Sequence, residues 1–398
     1  MSTLDVASGG PQRNSWARFP AATDGGLYLV TSATAAVSPA AIEPVAARSI
    51  PQAEYLVITA PAFVAGAELL ADLRRGSGLT AAVVPTDLIY EKYSDGMATP
   101  HAFQAFLADA LATWRQAPRF VVLAGNGSID YRNFLGRGDS LVPPLLLDTA
   151  YGLAPSDVLL ADVEGDDGIP EVAIGRIPAL TVAELTAYAD KLAGYESAHG
   201  AWTHRAILLS DRPGAAGSFE IDSDYAAALL PAEIDAERIY LDPLGIAEAR
   251  GRLMAALDEG AVFVNYLGHG GVDRLASEGL LASADVPSLH NTERLPVVAA
   301  MTCVVGNFGI SGYDSLGEAL VKSADGGAIA VWAPTSLAAH VDSRALDDAF
   351  IGALFGPDPM TVGEAAVAAA RAWSAQGADL ATLRFYALLG DPAVVMWR

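Results

Sequence analysis

Short apolar runs that alternate with helical segments dominate the chain from residue 53 onward. The runs "AEYLVITAP" (53–61), "LTAAVVP" (79–85) and "PRFVVLAGNG" (118–127) have the length and the flanking glycine or proline residues of buried strands. The segment between the first two, "FVAGAELLADLRRGSG" (63–78), is typical of a helix that ends at glycine. Repeated strand-helix-strand units predict right-handed crossovers and hence a parallel sheet.

A second series of strands and helices runs from "HRAILLSD" (204–211) to "GGAIAVWAPT" (326–335). We therefore predict an α/β protein with two consecutive, mostly parallel-sheet subdomains, residues 51–200 and 201–398. Residues 1–50 are rich in Ala, Ser and Pro and are interpreted as a leader or as the remnant of a preceding domain.

The composition narrows the class of protein. With 52% hydrophobic and 18% charged residues, the 398-residue chain can build a large core. Its 47 acidic against 24 basic residues give a formal net charge of -23, which argues against nucleic acid or an anionic membrane as a partner. No stretch approaches the ~20 apolar residues of a membrane span, so membrane insertion is not expected. The N-terminal residues lack the pattern of a secretory signal.

One histidine and one cysteine follow predicted strands in the second series. The stretch "VNYLGHGG" (264–271) places His269 between glycines, and "LPVVAAMTCVVGNFG" (295–309) carries Cys303, the only cysteine of the chain. Because parallel strands deliver their carboxyl ends to one edge of a sheet, adjacent strands would bring these side chains together. Two other interpretations stay open at this point: His269 as a turn residue, and Cys303 as a small buried apolar residue.

A cysteine beside a histidine is suited to nucleophilic chemistry, so the second subdomain, which carries both residues, is predicted to be the catalytic one. Only the thiolate attacks carbonyls well, and an imidazole can take up the thiol proton. The backbone N–H groups of Gly270 and Cys303 could form an oxyanion hole. Asp211, at the end of "AILLSD", is a candidate to orient the imidazole, although it could equally cap a helix; Asp273 is a weaker candidate for the same role.

The chain resembles peptidase family C25, the gingipain-like cysteine peptidases with a caspase-like fold, from about Glu54 to Arg398. The resemblance lies in several long motifs in the same order, among them "EYLVIT", "RFVVLAGNGSIDYRN", "PSDVLLADVEGDDGIPEVAIGRIP", "VNYLGHGG", "MTCVVGNF", "SLGEALV" and "LLGDPAV". It implies a caspase-like α/β/α sandwich and an endopeptidase that works through a thioester. His269 and Cys303 then match the catalytic pair, and Gly270 and Cys303 match the oxyanion donors. The family has a Glu near the imidazole where this chain has Asp211.

The resemblance also implies a substrate pocket. Arg-specific members carry an acidic residue in a stretch similar to "FEIDSDY", where Asp222 is the closest match and Asp224 the next. This implies a preference for Arg or Lys at P1, the residue before the cleaved bond. A helix cap is the alternative interpretation of Asp222. The stretch "WAPTSLAAH", from Trp332 to His340, is expected to line the same pocket.

A structural calcium ion is the second implication of the resemblance. The predicted ligands come from "GDDGIPEVAIGR", the residue before it and the end of "VVLAGN", and no cofactor is expected for catalysis; the ligands are Asn126, Glu164, Asp167, Ile169 and Glu171. Asn126 stands where the family has Asp, so weaker affinity is expected. Hard cations favour such oxygen donors, but a solvated acidic turn without a ligand is the alternative.

The sequence thus predicts a cysteine endopeptidase that acts on proteins or peptides. A transpeptidase with the same nucleophile, or a catalytically silent binding or scaffold protein of the same fold, are alternatives. A nucleotide-binding enzyme is disfavoured because no G-x-G-x-x-G or P-loop follows the first strand. The resemblance favours a secreted or cell-surface bacterial protein, while the sequence leaves a cytoplasmic location open.

Overall fold

The computed structural model describes residues 48–397 except 216 and 377–379, together with the short antiparallel strands Ala7–Ser8 and Ser15–Trp16. Most of the segment interpreted as a leader, residues 1–50, therefore lies outside the described residues. No helix in the described part of the chain is long and apolar enough to cross a membrane.

Ten strands form one continuous sheet. In chain order they are β1 (Tyr55–Thr59), β2 (Ala81–Pro85), β3 (Phe120–Ala124), β4 (Ala173–Ile177), β5 (Arg205–Ser210), β6 (Asp235–Tyr240), β7 (Phe263–Leu267), β8 (Val297–Met301), β9 (Ala330–Pro334) and β10 (Tyr386–Gly390). Most of them are buried along their whole length, as expected for parallel strands covered on both faces.

The strand order across the sheet is β6-β5-β7-β8-β9-β10-β4-β3-β1-β2. All neighbours are parallel except β9 and β10, which are antiparallel. The last strand, β10, lies between the two series of strands, because it pairs with β9 on one side and with β4 on the other. Residues 49–398 form one compact unit, and the predicted boundary at residue 200 stays a prediction.

Helices cover both faces of the sheet. They are α1 (Val64–Gly76), α2 (Thr86–Tyr93), α3 (His101–Thr113), α4 (Val158–Ala161), α5 (Val182–Ser197), α6 (Phe219–Leu229), α7 (Leu241–Leu244), α8 (Ile246–Glu259), α9 (Leu316–Lys322), α10 (His340–Leu354), α11 (Val362–Ser374) and α12 (Leu380–Leu383). Helix α5 packs against α1 and α9, and α10 packs against α6 and α11. The predicted fold class, a caspase-like α/β/α sandwich with a mostly parallel sheet, is confirmed.

Two antiparallel additions extend the sheet's carboxyl edge. One is a hairpin formed by Leu145–Thr149 and Gly152–Ser156. The other is a three-stranded ribbon that begins at Gly270–Gly271, directly after His269. Both lie beside the strand ends that carry the candidate site.

Candidate active site

His269 and Cys303 occupy equivalent positions beyond two neighbouring strands. Strands β7 and β8 are parallel, and Leu267 is the partner of Met301 at their carboxyl ends. His269 lies two residues past Leu267 and Cys303 two residues past Met301. Since neighbouring strands are separated by about 5 Å, this register brings the loop that carries His269 next to the loop that carries Cys303.

Glycine is required on both sides of His269 by close packing. A Cβ atom on Gly270 would overlap Thr302 and approach the carbonyl oxygen of Cys303 to 3.1 Å. A Cβ atom on Gly268 would overlap Asp211 and Tyr266. The glycines of "GHGG" therefore let the histidine loop lie directly against the cysteine loop.

Three hydrogen bonds fix the main chain of His269. Its N–H donates to Asp211 Oδ2 at 3.1 Å. Its carbonyl oxygen accepts from the Tyr266 hydroxyl at 2.6 Å and from the Ala276 N–H at 2.8 Å. Both the N–H and the carbonyl group of His269 are thus held by hydrogen bonds, which fixes the position of the Cα atom that carries the ring.

Asp211 acts on the main chain of the loop. It is buried, and its other oxygen, Oδ1, accepts the N–H of Arg212 at 2.7 Å. Among the hydrogen bonds of the described residues, none joins Asp211 to the imidazole of His269. The predicted direct orientation of the ring by Asp211 is therefore replaced here by orientation of the backbone. Asp273 is also turned away, because both of its oxygens accept from Arg274.

Phe219 positions the imidazole ring. Its ring, at the start of α6, makes an edge-on contact with His269 at a centroid distance of 5.3 Å. A Cβ atom on Gly214 would lie 3.9 Å from Nε2 of His269, so this glycine leaves space beside the reactive nitrogen. The ring is held by packing on one side and open beside Gly214.

Cys303 lies in a tight turn after β8. Its thiol is half-buried, 3.8 Å from the carbonyl oxygen of Ala338. The next residue, Val304, has a φ of +49°, an uncommon conformation for a β-branched residue, and its N–H donates to Ser336 at 3.0 Å. The N–H of Cys303 donates to no backbone carbonyl in the described part of the chain. A backbone donor is thereby left next to the thiol, at the position predicted for an oxyanion donor.

Asp222 and His340 are brought together beside His269. His340 Nε2 lies 2.7 Å from Asp222 Oδ2. Phe219 contacts the rings of both histidines, with a centroid distance of 4.6 Å to His340. Asp224, the second acidic candidate, lies on another face of α6 and bonds Arg238 and Tyr240, which lower its pKa. Side chains two residues apart on a helix point in nearly opposite directions. Only one of the two carboxylates, Asp222 or Asp224, can therefore face the site.

Trp332 lies in the core and not at the site surface. Its side chain is 3% exposed and packs between Phe350 and Tyr386, with centroid distances of 4.3 and 5.2 Å. The predicted contact of Trp332 with substrate is at odds with this burial. The end of the same stretch, Leu337 to His340, does reach the site, because Ala338 lies beside Cys303.

Two of the predicted calcium ligands, Glu171 and Asp167, accept backbone N–H groups of their own loop. Glu171 Oε2 accepts the N–H groups of Val163 and Glu164, and Asp167 Oδ1 accepts that of Ile169, so the acidic loop uses its own carboxylates to bond its backbone. Asn126 Oδ1 is buried without a partner among the described residues, but it lines a small cavity with Ser128, Arg137 and Phe308.

In the described part of the chain, no group of three or more His, Cys, Asp or Glu side chains is placed to hold a metal ion. The predicted set differs from such a group, because Glu164 and Ile169 would contribute their carbonyl oxygens and Asn126 its amide oxygen. Calcium binding stays a prediction, to be checked by melting the protein with and without a chelator.

A thiol and an imidazole follow the ends of two adjacent parallel strands, and a backbone N–H lies next to the thiol. The model of peptidase family C25 matches residues 49–397, and the chain belongs to this family. It is therefore a cysteine-type peptidase.

Solved structures support the same fold. The complex of the pro- and mature domains of RgpB from Porphyromonas gingivalis is 20% identical, with a TM-score of 0.74 over 86% of this chain and 79% of that chain. The Arg-specific cysteine proteinase gingipain R (RgpB) is also 20% identical, with a TM-score of 0.73 over 89% of this chain and 80% of that chain. None of the curated proteins matched the chain.

Sequence reasoning did not identify Tyr266, Phe219 or Arg344 as parts of the site; the Nε atom of Arg344 lies 3.3 Å from Asp222 Oδ1. Tyr266 alternates with Asn265 on an apolar strand, where a tyrosine is indistinguishable from a core residue. Phe219 and Arg344 belong to helices whose orientation depends on the packing of α6 against α10. Only the spacing of Arg344, one helical turn after His340, was available as a signal.

Replacing Tyr266 by phenylalanine is expected to lower kcat/KM for peptide hydrolysis by about tenfold, because it removes the hydrogen bond that the hydroxyl donates to the His269 carbonyl oxygen and the one that it accepts from the Ala276 N–H. Burial and Asp211 hold the pKa of Tyr266 well above its usual range, so the hydroxyl stays protonated and the effect should not depend on pH. The Ala276 N–H still donates to His269, which protects the fold.

Tyr93→Phe is the matched control, because its hydroxyl bonds Asp109 at 2.6 Å, between α2 and α3. Equal losses of activity in the two variants would assign Tyr266 a general structural role.

Proposed function

We propose that this chain is a cysteine endopeptidase in which Cys303 is the nucleophile and His269 the general base and then the general acid. The observation that carries the proposal is the shared register of the two residues beyond β7 and β8. The family membership supports peptidase chemistry, and the half-buried thiol of Cys303 leaves the sulfur accessible to a substrate carbonyl.

The reaction follows from these groups. The imidazole of His269 takes the thiol proton, and the thiolate forms a C–S bond to the carbonyl carbon of the substrate, whose oxygen becomes an oxyanion. The N–H groups of Cys303 and Gly270 would stabilise that oxyanion. The imidazolium then gives its proton to the departing amine as the C–N bond breaks, and a thioester remains. Water, deprotonated by His269, hydrolyses the thioester and regenerates the thiol.

Asp222 is proposed as the acidic group that favours Arg or Lys at P1. It is the acidic residue of α6 that faces the site, and Phe219, one helical turn before it, touches His269. Its carboxylate is 15% exposed, so a basic P1 side chain would meet a partly desolvated charge. Proteins or peptides are the proposed substrates, and a secreted or cell-surface location is proposed on the family resemblance.

A panel of fluorogenic peptides that differ only at P1 tests this proposal. Asp222→Asn is expected to lower kcat/KM for Arg and Lys peptides by roughly tenfold and to leave peptides with neutral P1 residues within about threefold, because the negative charge is removed while the nearby guanidinium of Arg344 remains. Asp224→Asn, two residues away on the outer face of α6, is the comparison.

An unchanged preference in Asp222→Asn, or a larger loss in Asp224→Asn, would contradict the assignment. Addition of an amine acceptor to the assay distinguishes a transpeptidase from a hydrolase. A transpeptidase would form the amide product in preference to the carboxylic acid. A silent binding protein would cleave none of the peptides.

A further inference from the structure

The carboxylate of Asp222 is already shared by two basic side chains of this protein. Oδ2 lies 2.7 Å from His340 Nε2, and Oδ1 lies 3.3 Å from Arg344 Nε. His340 and Arg344 are four residues apart on α10, so both face α6 from one side of the helix. A basic side chain of a substrate would therefore bind to a carboxylate that already contacts His340 and Arg344.

Arg344 is held loosely enough to move. Its side chain is 38% exposed, and its Nε makes no hydrogen bond within the described residues, although it is buried. Its guanidinium lies over the ring of Tyr225 at 5.1 Å and is 3.8 Å from Asp348. Tyr225 and Asp348 offer the guanidinium an alternative position away from Asp222.

His340 is held more firmly. Its side chain is 12% exposed, its ring packs on Phe219, and Gly217 lies against its edge. The negative charge of Asp222 is therefore opposed by the permanent positive charge of Arg344, whose guanidinium is also 3.8 Å from the carboxylate of Asp348. A second guanidinium brought into this partly buried space would face a like charge, which is unfavourable.

We propose that Arg344 is a specificity-determining residue that competes with the substrate for Asp222. This inference rests on the proposed function. In the free enzyme Arg344 neutralises Asp222, and a basic P1 side chain binds only after displacing it. The enzyme then discriminates weakly between a basic P1 residue and an uncharged hydrogen-bonding residue of the same length, so peptides with Gln-like P1 side chains are substrates as well.

Two peptides that differ in one group test the competition. One carries Arg at P1, and the other carries citrulline, which has the same length and shape but no charge. The ratio of their kcat/KM values is expected to be small in the wild type and to rise roughly three- to tenfold in Arg344→Gln, because the resident cation is gone. In the double variant Asp222→Asn/Arg344→Gln the ratio should fall close to one.

Arg238→Gln is the matched control, since Arg238 pairs with Asp224 on the outer face of the same helix at 2.8 Å. Because both rates come from one preparation, the ratio is independent of the fraction of folded enzyme. An unchanged ratio in Arg344→Gln, with hydrolysis that still requires Cys303, overturns the competition and leaves the peptidase assignment intact. Absence of Cys303-dependent hydrolysis of both peptides by the wild type overturns the proposed function and the inference with it.

Discussion

Replacing Cys303 by alanine is expected to reduce peptide hydrolysis by at least roughly 1,000-fold, because the covalent route to the thioester is lost while substrate binding remains. His269→Ala should cause a loss of similar order, since the two residues act as one unit. Measurement of kcat/KM on one fluorogenic peptide at equal concentrations of purified wild type and variants gives both values.

The fold of Cys303→Ala should be intact. The thiol makes one weak contact, 3.8 Å from Ala338, and alanine fits the same turn without strain at Cys303. The melting temperature should therefore change by no more than a few degrees, whereas activity disappears. Retained turnover in Cys303→Ala would remove this residue from the mechanism.

Alkylation gives a second test that needs no substrate. Because the chain has one cysteine, a single mass increase after iodoacetamide treatment reports on Cys303 alone. Fast labelling of the native wild type, slowed in His269→Ala, is expected if the imidazole generates the thiolate. A thiol that reacts only after denaturation would favour the binding-protein alternative.

The strand ends of the site could be predicted because local sequence sets them. Two mostly apolar five-residue runs determine β7, which ends before Gly268, and β8, which begins after Pro296, and parallel pairing then sends both carboxyl ends to one edge. His269 and Cys303 follow directly from that rule. The family resemblance added Gly270 to the predicted site. A Cβ atom at this position would overlap Thr302, which explains why glycine is needed there.

The features that could not be predicted from the sequence depend on packing between residues that are far apart in the chain. The strand β10 comes last in the chain and lies between the two series of strands, a pairing that no local pattern indicates. Asp211 was identified correctly as a residue at the strand end, but its choice of the His269 backbone as partner depends on the close approach of Gly268. Trp332 fills the core because alternate residues of β9 face opposite helix layers.

One buried ion pair links the cysteine loop to the first half of the sheet. Arg176 on β4 is fully buried, with two hydrogen bonds to Asp157 at 2.7 and 2.6 Å. Its Nη1 also donates to the carbonyl oxygens of Gly125 and Val142 at 2.9 Å. Its guanidinium lies 4.5 Å from the ring centre of Phe308, in the loop that follows Cys303.

Arg176→Met is expected to lower the free energy of unfolding by about 3–5 kcal/mol, because Asp157 and two carbonyl groups are left buried without their donor. The change is larger than that for a surface pair, where water replaces the lost partner. Urea denaturation with a constant m-value measures it. Activity should fall as well, since Phe308 loses the side chain against which its loop is packed.

Arg252→Met is the matched control, because Arg252 is 41% exposed and pairs with Glu237 at the surface. Its effect should stay below about 1 kcal/mol. In the double variant Arg176→Met/Asp157→Leu, part of the stability should return, since the uncompensated carboxylate is gone and apolar side chains fill a similar volume. If Arg176→Met and Arg252→Met lower the free energy of unfolding by the same amount, the buried pair of Arg176 and Asp157 does not hold the two halves of the sheet together.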